Sequence, residues 1–155
     1  MIKTSHVLSA ILVAGFTCLP ALAQDKKLQR SDLPPAVGKT ADEQSKGATV
    51  RGYSSEVEDG KLEYEVELTI NGHNRDVSID ANGNVIEIED VVEFSSLSPA
   101  VQNGLNKKAG TGKITKVESI TKKGKIVAYE AHVLDGTKKR EIQVGPDGKP
   151  LAHEE

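Results

Sequence analysis

From Glu63 to Ile70 the chain alternates without a break. Glu63, Glu65, Glu67 and Thr69 are polar, while Tyr64, Val66, Leu68 and Ile70 are apolar. A period of two predicts an antiparallel strand with one face on a core and the other in water. The same reading places strands at Thr49 to Val57, Arg75 to Asp80 and Val85 to Ile88, and later at Lys113 to Thr121, Lys125 to Leu134 and Lys138 to Val144. Between them lie turn signals: Asp59-Gly60, Asn71-Gly72-His73-Asn74, Asn82-Gly83, Lys123-Gly124, Asp135-Gly136 and Asp147-Gly148, the last before a short end at Leu151.

The period changes twice. Val101, Leu105 and Ala109 recur at i, i+4 and i+8, the stripe of an amphipathic helix. Ser98 suits its N-cap, Pro99 its first turn and Gly110 its stop. A weaker counterpart over 35–46 has only Val37 and Ala41 before Gly47. These two helices open two similar stretches. Leu33-Pro34-Pro35-Ala36-Val37 returns as Leu97-Ser98-Pro99-Ala100-Val101, 64 positions later. Tyr64-Glu65-Val66-Glu67-Leu68 returns as Tyr129-Glu130-Ala131-His132-Val133, and Arg75-Asp76-Val77-Ser78-Ile79 as Arg140-Glu141-Ile142-Gln143-Val144, each 65 later. The expected fold is α+β: two tandem helix-plus-antiparallel-strand repeats sharing one sheet, with the helices packed on one face. A unit of about 64 residues buries too little surface to be secure alone, so the two interiors are expected to merge.

The N-terminus has a different character. Lys3, the apolar run Val7 to Leu19 and the small residues Ala21-Leu22-Ala23 form a secretory leader. The run is shorter than the roughly 20 residues of a membrane span. Cys18 lies within it, and Gly15 and Thr17 do not make a lipidation signal. The expected organisation is a signal peptide at 1–23, a flexible mature N-terminus at 24–32, and repeats at 33–95 and 96–155. A periplasmic or secreted location follows, with no membrane contact after cleavage. Beyond Cys18 the chain has no cysteine, hence no disulfide or thiolate chemistry.

A Leu-Pro-Pro-x-Val helix start, Tyr-Glu-Val-Glu and Arg-Asp-Val-x-Ile-Asp-x-Asn-Gly together resemble the PepSY-like repeat, from Leu33 to about Leu151. Tandem copies of that module are compared with β-lactamase-inhibitor proteins. The second copy departs at His132 and Gly145, where the first has Glu67 and Asp80. The resemblance implies a non-catalytic, partner-binding or inhibitory protein outside the cytoplasm, and it does not name the partner.

Motifs for chemistry are few. His73 falls in a turn, His132 in a strand and His153 in an acidic tail, without metal-ligand spacing, and each reads as solvent-exposed. Asp80-Ala81-Asn82-Gly83-Asn84 has its glycine too early for a calcium loop and reads as a hairpin turn. No serine lies in Gly-x-Ser-x-Gly, and no glycine-rich loop precedes a helix. The carboxylates of Glu63, Glu65 and Glu67 fall on the wet side of their strand, where a shifted pKa is not expected. Neither catalysis nor a cofactor is expected.

Charge is unevenly spread. Between Arg51 and Glu93 there are 12 acidic and 3 basic residues; between Lys107 and Arg140 there are 3 acidic and 10 basic. Three consequences are open: the halves attract, two molecules associate weakly head to tail, or each half steers a different surface of a partner. With a formal net charge of −3 the whole chain has no general attraction to nucleic acid. The expected function is an exported module that binds an envelope or secreted protein, inhibiting or modulating a protease or other hydrolase. Candidate contacts are Glu63, Glu65, Glu67, Lys122, Lys123 and Lys125. The alternative is a small-ligand or cation sensor using the acidic first repeat.

Overall fold

A computed structural model describes residues 26–58 and 60–155. Eight antiparallel strands form one sheet in sequence order: β1 (Lys26–Leu28), β2 (Thr49–Glu58), β3 (Lys61–Ile70), β4 (His73–Asp80), β5 (Val85–Val91), β6 (Lys113–Lys122), β7 (Lys125–Asp135) and β8 (Lys138–Val144). Helices α1 (Pro35–Gln44) and α2 (Pro99–Ala109) lie on one face. The α+β class, the shared sheet and the one-sided helices are therefore present. The leader assigned to residues 1–23 lies outside the described residues, as does Gln24. Among the described residues no helix is long and apolar enough to cross a membrane.

Alternation sets which side chains meet the helices. Tyr64, Val66, Leu68 and Ile70 of β3 join Val77 and Ile79 of β4 beneath Val37 and Ala41 of α1. Val117, Ala131, Val133, Ile142 and Val144 lie beneath Val101, Leu105 and Ala109 of α2. Burying a leucine such as Leu105 contributes about 1.5–3 kcal/mol.

The interiors do not merge. They form two apolar clusters under a continuous backbone ladder. The seam is polar on the helix side, where Asp90 stands opposite Ser119 and Ile88 opposite Thr121. Arg75 closes on Asp90 there with two hydrogen bonds, from Nε at 2.6 Å and Nη2 at 2.9 Å. A charged pair at the junction keeps the oily residues apart, a sign the local composition of Arg75 and Asp90 had not revealed.

From Lys26 to Asp32 the segment expected to be flexible is structured, residues 24 and 25 lying outside the described residues. Lys26, Lys27 and Leu28 pair with Ser55, Ser54 and Tyr53. Arg30 is bonded to Asp42 of α1 through Nε at 2.8 Å and Nη2 at 2.6 Å. Smaller corrections follow. Helix α1 ends at Gln44, short of the expected 46, and His73 begins β4 instead of sitting in the turn. The segment ending at Leu151 forms no strand.

The Asp80–Asn84 turn is a hairpin turn, as its sequence predicted. Asp80 Oδ1 accepts from the backbone N–H groups of Asn82 and Asn84, both at 2.9 Å. Gly83 has φ 86°, and a Cβ there would meet the Ala36 carbonyl oxygen at 2.8 Å. The turn is thereby held against the first turn of α1.

Candidate functional site

Helices cover one face of the sheet and leave the other open. That open face forms a trough of about 980 Å³. Its floor is built by alternation: Glu63 and Glu65 from β3, Asp76 and Ser78 from β4, Glu87 and Glu89 from β5, with Glu67 on the same face beyond its lining. From the second half come Lys116, Glu118, Glu130, His132, Glu141 and Gln143. Register brings them into rows, with Glu65 opposite Ser78 and Ser78 opposite Glu87, while Glu67 faces Asp76 and Asp76 faces Glu89. Directly opposed side chains in an antiparallel sheet are close neighbours, so like charges in these rows repel.

Each carboxylate finds its own solution. Glu67 accepts from Lys27 Nζ at 2.5 Å and from Arg51 Nη1 at 3.2 Å, and Arg51 Nη2 reaches Asp76 at 2.5 Å. Glu87 takes Lys122 Nζ at 3.1 Å. Glu65 has no such partner among the described ion pairs. Burial, then Asp76, Glu67 and Glu56, push its carboxyl up to about 7. Burial and then Glu118, Glu87 and Glu130 push Glu89 up to about 8. Glu63, Asp76 and Glu130 are raised too, each chiefly by burial. The expectation of simple solvation is therefore corrected for Glu63 and Glu65, from which the concave face withdraws water, while Glu67 is held by Lys27 and Arg51.

Glu118 anchors the centre. It is 1% exposed although it points to the open face. Lys116 Nζ lies 2.6 Å and His132 Nε2 2.9 Å from its Oε2. His132 also approaches Glu130 Oε1 at 3.5 Å and, through Nδ1, Glu141 Oε1 at 3.4 Å. A buried carboxylate needs such partners, because an uncompensated one is very costly. His132 is accordingly no ordinary exposed histidine. Two trios place ligand atoms within 4.8 Å of one another: Glu118, Glu130 and His132, and Asp76, Glu89 and Glu118. Either set of oxygens, with or without the imidazole, has donor chemistry for a divalent cation. His73 and His153 are exposed and outside both trios.

The lysine candidates separate. Lys122 lines the trough and bridges to Glu87 and, at 3.3 Å, to Glu155. Lys123, with φ 52°, and Lys125 sit at the β6–β7 hairpin tip, exposed and away from the floor. The C-terminal tail returns to the face: Glu155 N–H donates to Gln143 Oε1 at 2.8 Å. Charge is thus sorted by side of the sheet more than by half. The acidic face runs from Glu56 to Glu141, across both halves, although the sequence between Lys107 and Arg140 is mostly basic.

No family model matches the chain, and no curated protein sequence does. Solved structures match in fold. A BLIP-like protein from Bacteroides fragilis superposes with a TM-score of 0.57 at 19% identity, over 77% of this chain and 83% of that one. A DUF2874 family protein from Bacteroides ovatus gives 0.60 at 19% identity, over 77% and 84%. A protein named as a candidate periplasmic protein, from Bacteroides eggerthii, gives 0.62 at 16% identity, over 77% and 86%. The chain therefore has the fold shared by BLIP-like and DUF2874 proteins, in keeping with the PepSY-like resemblance of its motifs.

Proposed function

We propose that this protein is a periplasmic, non-catalytic binding module whose working surface is the open face of the sheet, and that it inhibits or modulates an envelope hydrolase by covering part of it. The observation that carries this reading is the uncovered, concave face lined by partly buried carboxylates. A face meant only for solvent would gain nothing from holding Glu65 and Glu89 where ionisation is opposed. Occlusion of a partner requires no catalytic group. Periplasmic location is supported by the leader pattern and by the Bacteroides eggerthii neighbour, which is named for that compartment. Duplication of one unit is supported by matched contacts: Gly83 packs on Ala36 as Gly148 packs on Ala100.

Pull-down from periplasmic extract tests the reading, using the wild type and a variant with Glu63, Glu65 and Glu67 all changed to Lys. Loss of a specific partner is the expected result. Recovery of the same partners by both proteins would remove this face from the function.

The two trios favour a second reading, cation sensing, with the site at the centre of the sheet instead of within the first repeat alone. Calcium and zinc titrations followed by melting temperature decide it. A cation bound only to the native state adds ~2.7 kcal/mol at 100 times its dissociation constant, and a flat response excludes it.

A further inference from the structure

The segment after β8 returns to the open face by a route of its own. At the 65-residue offset of the two similar stretches, positions 85–90 of β5 correspond to residues 150–155. Where β5 pairs along β4, residues 150–155 form no strand on β8. Instead the Gly145 N–H donates to the Lys149 carbonyl at 2.8 Å, which reverses the chain. Leu151 then passes over Gly145, 3.4 Å from where a Cβ would stand. The segment reaches Gln143, which is only 6% exposed. The Glu155 N–H donates to Gln143 Oε1 at 2.8 Å, and Lys122 Nζ lies 3.3 Å from Glu155 Oε2. Both side chains are held from behind. Gln143 Nε2 donates to Glu130 Oε2 at 2.8 Å, which turns the amide oxygen toward the tail, and Lys122 Nζ is 3.1 Å from Glu87 Oε2. Gln143 Nε2 also approaches the main-chain oxygen of Glu155 at 3.5 Å.

We propose that Gln143 and Lys122 form a subsite for an extended peptide, reading the main-chain N–H and the carboxylate of one residue, and that residues 151–155 fill it in cis until a partner's segment replaces them. This rests on the reading of the open face as the working surface and goes further by naming what this part of it receives: an extended segment carrying Glu or Asp. An occupant is already seated there, bonded through main chain as well as side chain, so the subsite does not depend on charge alone. A buried amide whose nitrogen is committed to a carboxylate presents its oxygen to an N–H donor and to little else. The hold on the tail is slight. One neutral hydrogen bond and one half-exposed ion pair, its lysine shared with Glu87, must offset the entropy lost on ordering the segment. The tail also brings Glu154 and Glu155 to a trough lined by Glu87 and Glu130, where like charges repel. Segments held this loosely open locally. A partner segment with the same N–H and carboxylate, and a neutral or basic neighbour in place of Glu154, therefore displaces it.

The test is nuclear magnetic resonance on the mature protein, with a peptide of residues 149–155, capped at both ends, as the probe. In the wild type the Glu155 N–H is expected to be as rigid as the strands by heteronuclear NOE, and in Gln143→Ala it should become mobile. Glu155→Pro removes both the N–H and the carboxylate of the tail and so empties the subsite. That variant should bind the peptide, with shifts centred on the Gln143 side-chain amide. The wild type should bind about fivefold or more weakly, because a tail bound most of the time leaves few sites open. Changing the peptide's last glutamate to glutamine should weaken binding about threefold, as for a half-exposed ion pair, whereas changing the glutamate before it to glutamine should strengthen binding. Adding Gln143→Ala to Glu155→Pro should abolish it. A mobile Glu155 N–H in the wild type, equal affinity of the wild type and Glu155→Pro, or binding indifferent to Gln143→Ala would overturn the proposal. If the peptide ignores Glu155→Pro while the Glu63, Glu65, Glu67 variant still loses its envelope partner, this inference fails and the open-face reading stands. If the envelope partner is also indifferent to that variant, the open-face reading fails with it.

Discussion

Helix α1 presents Val37 and Ala41 to the sheet where α2 presents Val101, Leu105 and Ala109. The two occupy equivalent places, yet their ends and contacts differ. Helix α2 begins at Ser98, whose Oγ accepts from Val101 N–H at 3.3 Å, and stops at Gly110 with φ 62°. Arg140 donates to the Ala109 carbonyl at 2.6 Å, satisfying a group the helix leaves open. Helix α1 starts at Pro34 with no side-chain cap and ends at Ser45 in an ordinary helical conformation. It relies instead on outside ties: Arg30 to Asp42, and Thr40 Oγ1 donating to the Gly83 carbonyl at 2.6 Å. The position equivalent to Thr40 in α2 is Gly104, where any Cβ would overlap the Gly148 carbonyl oxygen. One helix is held by a hydroxyl and the other by close approach. The same architecture therefore tolerates two solutions, with the apolar contact concentrated in the second.

Substitutions can break that asymmetry. Leu105→Ala leaves a cavity in the second cluster and should cost about 2–5 kcal/mol in denaturant unfolding. Ala41, its counterpart in α1, has no such volume to lose. Equal costs for Leu105→Ala and Ala41→Gly would sink the comparison. Gly104→Ala forces apart α2 and the turn carrying Gly148 and should cost about 1–3 kcal/mol, even though alanine is the better helix former. A stabilised variant would show that the turn simply moves away.

Much of the fold is legible because its causes are local. Strict alternation from Glu63 to Ile70, glycine turns with positive φ, and the Ser98, Pro99 and Gly110 signals of α2 all act within a few residues. The centre of the site depends on register instead. Lys122 opposite Lys125 would lead, by simple continuation, to Glu118 opposite Tyr129. A bulge between Ile120 and Thr121 shifts the ladder by one residue and puts Glu118 opposite Glu130. The slip changes every pairing from Ile120 to Lys116, until a second irregularity before Ile114 restores the register, and no residue in the β6–β7 turn announces it. His132 joins Glu118 for the same reason. The divided core was hidden too, since Arg75 and Asp90 lie 15 positions apart and meet only across β4 and β5.

The cap sharpens the comparison with a smaller effect. Ser98→Ala removes the acceptor for Val101 N–H and should cost about 1–2 kcal/mol. Pro34→Ala, at the uncapped start of α1, loses no comparable bond. A thermal melt in which Pro34→Ala lowers the midpoint more than Ser98→Ala would contradict the account of the two starts.

The smallest expected effect lies on the opposite face, where the halves meet. Glu89 of β5 stands against Glu118 and Glu130 of the second half, and its carboxyl is raised to about 8 in the folded protein. In the unfolded chain an ordinary glutamate titrates near ~4.3. Between those values the folded state binds more protons, so stability falls as pH rises through this window and levels off above it. Glu65, raised to about 7, adds to the lower part of the same decline. Water in the trough screens the penalty, and Glu89→Gln should therefore stabilise by no more than about 1 kcal/mol at pH 9. Little gain is expected at pH 4, where glutamate is largely protonated in both states. Melting the two proteins at both pH values reads the difference directly. An equal gain at pH 4 and pH 9 would mean that packing, and not repulsion across the junction of the halves, governs this position.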